Sequence, residues 1–171
     1  MEMFQLVDRS GAPIGEASRE ECHGNPALLH LVVHVHVVSS DVRVYLQRRS
    51  RRKDTNPGLW DTSVGGHVNA GEAVREAVLR ESREELGMDA SAARAVYTML
   101  NEGSFESEFA HCFLLTFDGP FHTDPEEIDE GRFFTVPEVE SMIGIGTLTP
   151  LFEKEWPLLK KELGRAGYAE R

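Results

Sequence analysis

Residues 72–86 place three carboxylates where a helix should be apolar. At about 100° per residue, Ala73, Val74, Ala77 and Val78 share one arc, and Glu81, Glu84 and Glu85 fall inside it. Glu81 lies three and four residues from the other two, so the like charges also repel one another. A carboxylate buried on an apolar stripe without a partner is costly. One reading is a solvated acidic face paired with Arg80 and Arg83, Arg80 reaching Glu76 and Glu84 at i±4. The other is a site for Mg2+ or Mn2+, hard cations that take oxygen ligands. Leu79 and Leu86 lie on a second arc, which predicts a helix packed on two sides, and Gly87 stops it. Ahead of it, Gly65-Gly66 lets backbone approach a ligand closely, and Gly71-Glu72 opens a helix whose N-terminal dipole favours an anion.

The rest of the chain predicts mostly strands. Residues 4–7 and 14–15 read as a hairpin around Gly11 and Pro13. In 29–38, Leu31, Val33, Val35 and Val37 share one face and His30, His34 and His36 the other, with 42–47 as the partner strand. A basic run, Arg48, Arg49, Arg51, Arg52 and Lys53, leads into the Asn56–Trp60 turn and a short strand over 61–64. Strands are expected over 94–100, 106–117 and 132–135 and a short helix from Pro137 to near Ile143. A final helix should be capped by Thr149 and kinked by Pro157. The whole chain, 1–171, reads as one domain, long enough for a single core.

With 18 basic against 29 acidic residues, the formal charge is −11, which disfavours binding to a nucleic-acid polymer but not to a small phosphorylated molecule bridged by cations. No apolar run is long enough to span a membrane and the start lacks a signal pattern, so the expectation is no membrane partner and a cytoplasmic location. Cys22 and Cys112 are too few for a disulfide framework.

From Gly66 the chain runs through five residues to Glu72, then seven to Arg80-Glu81-Ser82-Arg83-Glu84-Glu85-Leu86-Gly87-Met88. This 23-residue stretch, 66–88, resembles the Nudix box. Ser82 stands where the family has an aliphatic residue that docks the helix on the sheet. The resemblance implies an α+β Nudix fold, a mixed sheet sandwiched between helices. It further implies Glu81, Glu84 and Glu85 as ligands of Mg2+ or Mn2+, with Arg80 orienting them and Glu72 holding the loop or helix end. The implied reaction is metal-dependent hydrolysis of a phosphoanhydride in a nucleoside diphosphate derivative or related organic diphosphate, Glu84, Glu85 and Arg80 being the catalytic set. Glu126 or Glu127 is the candidate base, with Glu127 preferred. Gly65, Gly66, Arg48, Arg49 and Lys53 are expected to meet the substrate.

Residues 5–140 are also similar to isopentenyl diphosphate isomerase, a branch of the same superfamily. The shared landmarks are Cys22-His23, His30, Pro57–Trp60, Ser63–His67 and Glu106–Glu108. That likeness implies a second site for Zn2+ or Mn2+ made by His23, His30, His67, Glu106 and Glu108. Against isomerisation, the branch's catalytic cysteine is replaced by Gly65, Cys22 lies elsewhere, and Gly144–Thr147 lacks the expected aromatic residue. Hydrolysis is therefore the main expectation, with isomerase-like activity or non-catalytic metabolite binding as alternatives. Trp60 and Phe105 are candidates to stack on a base or line a pocket, core packing being the simpler role for Trp60. The C-terminal amphipathic helix, with Phe152, Trp156, Leu159 and Leu163, reads as a structural cover, a homodimer contact being its alternative.

Overall fold

The computed structural model describes residues 2–53 and 55–165. Its strands are β1 (Met3–Val7), β2 (Pro13–Ser18), β3 (Leu29–Val38), β4 (Val44–Arg49), β5 (Trp60–Asp61), β6 (Val64–His67), β7 (Arg94–Glu102), β8 (Ser107–Thr116) and β9 (Ile128–Phe134). The helices are α1 (Arg19–Cys22), α2 (Val74–Leu86), α3 (Val136–Met142) and α4 (Pro150–Arg165). The strands form one mixed sheet organised on β3. One edge of β3 runs parallel to β8 over its whole length, from Leu29 opposite Ser107 to Val38 opposite Thr116. The other edge takes β1 at His30, then β6 from His67 to Val64, then β4 at Val38. β7 extends the sheet beyond β8, β2 beyond β1, and β4 carries both β5 and β9.

A long parallel pairing survives where both faces are covered, and here they are. Leu31, Val33, Val35 and Val37 pack on Ala77, Val78 and Leu86 of α2. On the opposite side Val38, Val44, Leu46, Leu114 and Phe134 pack on Phe152, Trp156, Leu159 and Leu163 of α4. The histidine face of β3 is therefore buried too, and its alternation separates two interiors rather than core from solvent.

α2 ends at Leu86 as expected but begins at Val74, so Glu72 lies ahead of the helix rather than opening it. The Glu76 carboxylate accepts from the Ala73 N–H at 3.0 Å at the start. At the end Gly87, at φ 61°, donates to the Arg83 carbonyl, the left-handed cap glycine supplies most cheaply. Ser82 is fully buried against the sheet with no hydrogen-bond partner for its Oγ, so the small side chain docks there as a filler.

Two expectations shift in the sheet. The single strand expected over 61–64 is two strands: β5 pairs with β4, the chain crosses at Thr62-Ser63, and β6 pairs with β3. Gly65 and Gly66 thus lie in a strand rather than ending one. The 132–135 strand begins earlier, at Ile128, because β4 supplies a ladder as far as Arg49. α4 continues through Pro157; its start is capped as expected, Thr149 Oγ1 accepting from the Phe152 N–H at 3.2 Å.

Candidate functional site

β3, β6, β8 and α2 wall a cleft of about 890 Å3, and residues from the basic loop and from the 124–127 turn close its rim. Its lining brings together Glu81, Glu84 and Glu85 of α2, Gly65, Gly66 and His67 of β6, and His23, Glu106 and Glu108. Arg49, Lys53, Asp124 and Glu127 stand around it.

Arg80 organises the acidic wall. Its Nε and Nη2 donate to the two oxygens of Glu72 at 2.8 and 2.9 Å, and Nη2 also reaches the His67 carbonyl at 2.9 Å. Nη1 donates to Glu81 at 2.6 Å and to Glu84 at 3.3 Å. Glu72 is held in turn by the Asn69 N–H at 2.9 Å. Glu76 takes no part and caps the helix instead. Glu81 lies so close over β6 that a Cβ on Gly66 would sit 2.0 Å from its carboxyl carbon; only glycine admits this contact. Gly65 differs, for a Cβ there would meet Thr62 at 3.4 Å and His34 at 3.6 Å, ordinary packing distances. Its bareness is not a steric requirement.

Burial pushes Glu85 up to about 8; the hydrogen bond from Gln47 Nε2, at 2.8 Å, opposes the rise and the Glu81 charge adds to it. Burial raises Glu81 as well, against the pull of Arg80. Two carboxylates that resist ionisation beside a third, more exposed one suit a divalent cation, whose charge would offset the desolvation.

A second cluster lies at the other end of β6. His30 is fully buried, and burial drives it down to about 4. Burial, with His30 beside it, also holds His67 well below its ordinary value. Both rings are thus neutral near pH 7, the form that ligates metal. The His23, His30 and His67 ring centres lie 5.3–6.5 Å apart, with Phe4 stacked on His67 at 3.8 Å. Glu106 approaches His23 at 3.4 Å and His30 at 4.0 Å. Donor atoms of His23, His67 and Glu106 lie within 4.8 Å of one another, as do those of His30, Glu106 and Glu108. Yet His23 Nε2, both nitrogens of His30 and Glu106 Oε2 are buried with no well-aligned hydrogen-bond partner. Buried polar atoms are seldom left so, and these converge on one another as metal ligands do. Imidazoles with carboxylates suit Zn2+ or Mn2+.

The basic run divides by strand parity. Arg49 lines the cleft, bonded to Thr55 and lying 3.3 Å from Asp61. Arg48 faces the other way, pairing with Glu130 at 3.2 Å and lying over Trp60. Lys53 lines the cleft and is ion-paired with Glu127. Glu126 pairs outside it with Arg52. Trp60 packs in the α4 core, whereas Phe105 is half exposed at the cleft mouth beside His23.

Several cleft groups escaped the sequence reading: Gln47, Asp61, Thr62, His34 and, behind it, Glu155. Gln47 could have been found from the alternation that pairs it with Arg49. Glu155 could have been found as a charge on the Phe152–Trp156–Leu159 stripe. Thr149 Oγ1 bonds Asp61 Oδ1 at 2.9 Å, tying the start of α4 to the cleft wall. Among the described residues no helix is long and apolar enough to cross a membrane.

Comparison with known proteins agrees with this fold. A profile of the NUDIX domain matches residues 28–155. The chain is 33% identical over 143 residues to the isopentenyl-diphosphate Delta-isomerase of Streptomyces avermitilis, covering 80% of this chain and 73% of that protein. It is 29% identical over 164 residues to isopentenyl-diphosphate Delta-isomerase 1 of Photorhabdus laumondii, covering 91% and 93%. The crystal structure of DR0079 from Deinococcus radiodurans superposes with a TM-score of 0.76 at 27% identity, over 90% of this chain and 96% of that one.

Proposed function

Because the chain belongs to the Nudix family, we propose that it hydrolyses the phosphoanhydride bond of a nucleoside diphosphate derivative or a related organic diphosphate, with Mg2+ or Mn2+. The observation that carries this reading is the gathering of Glu81, Glu84 and Glu85 on one cleft wall, the first two held by Arg80 and the third by Gln47, beside a Gly65 that has no side chain to move a proton.

Glu81, Glu84 and Glu85 would hold the cation, which when bound supplies charge neutralisation of the diphosphate and acidification of a water. The chain's own residues do the rest. Arg80, braced by Glu72, fixes Glu81 and Glu84, Gln47 fixes Glu85, and Gly66 allows Glu81 against the strand. Arg49 and Lys53 offer positive charge at the rim for the terminal phosphate. Glu127, ion-paired with Lys53 at the rim, is the candidate acceptor for the water's proton. Arg48 keeps only an indirect part, through the strand it shares with Arg49. Hydrolysis is tested by a phosphate-release screen with Mg2+ and with Mn2+ over nucleoside di- and triphosphates, sugar nucleotides, dinucleotides and prenyl diphosphates. Glu85→Gln should lose orders of magnitude in turnover with the fold intact; unchanged release would remove the carboxylate's role.

A second reading, isomerisation, is the one the named relatives favour over hydrolysis. The histidine–glutamate cluster has the metal-seeking geometry described above, and the relatives are named isopentenyl-diphosphate isomerases. Isomerisation predicts exchange of prenyl-diphosphate protons with solvent deuterium, read by NMR, and Gly65 argues against it. The small diphosphate substrate is common to both readings. Binding without turnover across the whole screen would favour the non-catalytic alternative.

A further inference from the structure

Of the three histidines on the inner face of β3, His34 stands apart from the cluster around Glu106. Its Nδ1 lies 2.9 Å from Glu155 Oε2. Glu155 is fully buried on the apolar side of α4, and its other oxygen receives His36 Nε2 at 2.9 Å, Tyr97 OH at 3.1 Å and Cys112 Sγ at 3.0 Å. Thr62 Oγ1 completes the group at 3.0 Å from His36 Nδ1. A buried carboxylate needs this many partners to be tolerated. Those contacts account for Nδ1 and leave the opposite edge of the ring to be explained. That edge faces Gly65: a Cβ there would lie 3.6 Å from His34 Cδ2 and 3.9 Å from Nε2. Both residues line the cleft, together with Glu85 and Thr62. Gly65 carries no side chain to cover the Nε2 edge of His34, which is 4% exposed and lines the cleft.

We propose that His34 is a catalytic residue whose Nε2–H donates its proton to the leaving oxygen of the diphosphate, and that Glu155 is its positioning residue. This rests on the hydrolytic reading. As the oxygen of water bonds to phosphorus, the bridging P–O bond breaks and its electron pair stays on the leaving oxygen. That oxygen takes the Nε2 proton, the water's proton goes to a cleft carboxylate, and neutral His34 is reprotonated from solvent through the cleft. Burial pulls His34 down, but the Glu155 carboxylate and Cys112 outweigh it, so the ring is held protonated. Glu155 itself, opposed by burial, is kept ionised by His34 and His36.

The test uses the full chain with Mg2+ and two substrates sharing one phosphoryl group, the best diphosphate from the screen and a nitrophenyl ester whose leaving group needs no proton. His34→Gln should lose about 100-fold in kcat on the diphosphate with KM unchanged, and far less on the nitrophenyl ester. Glu155→Gln, which keeps shape and packing, should show the same selectivity at smaller size, so the test stands if His34→Gln fails to fold. Equal losses on both substrates, or none, would overturn the proposal. Should the wild type turn over no diphosphate, the hydrolytic reading fails by itself. His34 is then judged in 15N-labelled wild type with Mg2+ and methylene bisphosphonate: a shifted His34 Nε2 resonance supports contact, and an unmoved one overturns it.

Discussion

His30 makes the second cluster measurable without any knowledge of substrate. Its ring ionises at 6.5 in an open chain and at about 4 in the folded protein, because burial disfavours the cation. The folded pKa is the depressed one, so the folded state binds fewer protons than the unfolded state. Stability from this group is therefore complete above 6.5 and is lost as pH falls toward 4. At about 1.4 kcal/mol per pKa unit, going from pH 7 to pH 5 in chelator removes about 2 kcal/mol through His30 alone. His30→Gln lacks that loss, so the two proteins should differ by about 2 kcal/mol over this pH range. Urea unfolding of both proteins at the two pH values reads it, as a wild-type midpoint that moves roughly 1 M further than the variant's. Parallel midpoints would refute the claim that His30 is buried in its neutral form.

Mn2+ or Zn2+ at a hundred times its Kd should stabilise the wild type by about 2.7 kcal/mol in thermal or urea melts, and His30→Gln by clearly less. Gly66→Ala should abolish turnover, its Cβ displacing Glu81, while Gly65→Ala should fold with unchanged stability; equal effects of the two on circular-dichroism melts would contradict the contacts at these positions. Arg80→Lys should weaken Mg2+ affinity 10- to 100-fold by calorimetry, since ammonium cannot span Glu72, Glu81 and Glu84 together. Phe152→Ala, in the fully buried α4 core, should cost about 3–5 kcal/mol in urea unfolding without altering metal affinity at the acidic wall.

Much of this was written in local pattern. Period-two alternation placed β3 and chose the face that meets α2. Period 3.6 placed α2, and Gly87 marked its end. The acidic wall was legible because charge on an apolar arc has few explanations. What escaped depends on pairing across the sheet. Nothing near residue 61 says that two short strands there serve different neighbours, β4 and β3. That Arg48 turns from the cleft and Arg49 into it follows from the register of β4, which is set by β9 far along the chain. The alternation puts His34 and His36 on one face of β3 but names no partner for them, because Glu155 comes from α4 and only tertiary packing joins them.

The β3–β8 ladder sets Glu108 beside His30 and Cys112 beside His34. Four residues of strand separate these rungs, about 13 Å of backbone. The sheet thus works as a ruler: neither centre can drift relative to the other, and a slip of one rung would turn both away from the cleft at once. A molecule that touched both would have to match that fixed span, so a backbone ladder would select such a ligand by length before any side chain selected it by kind.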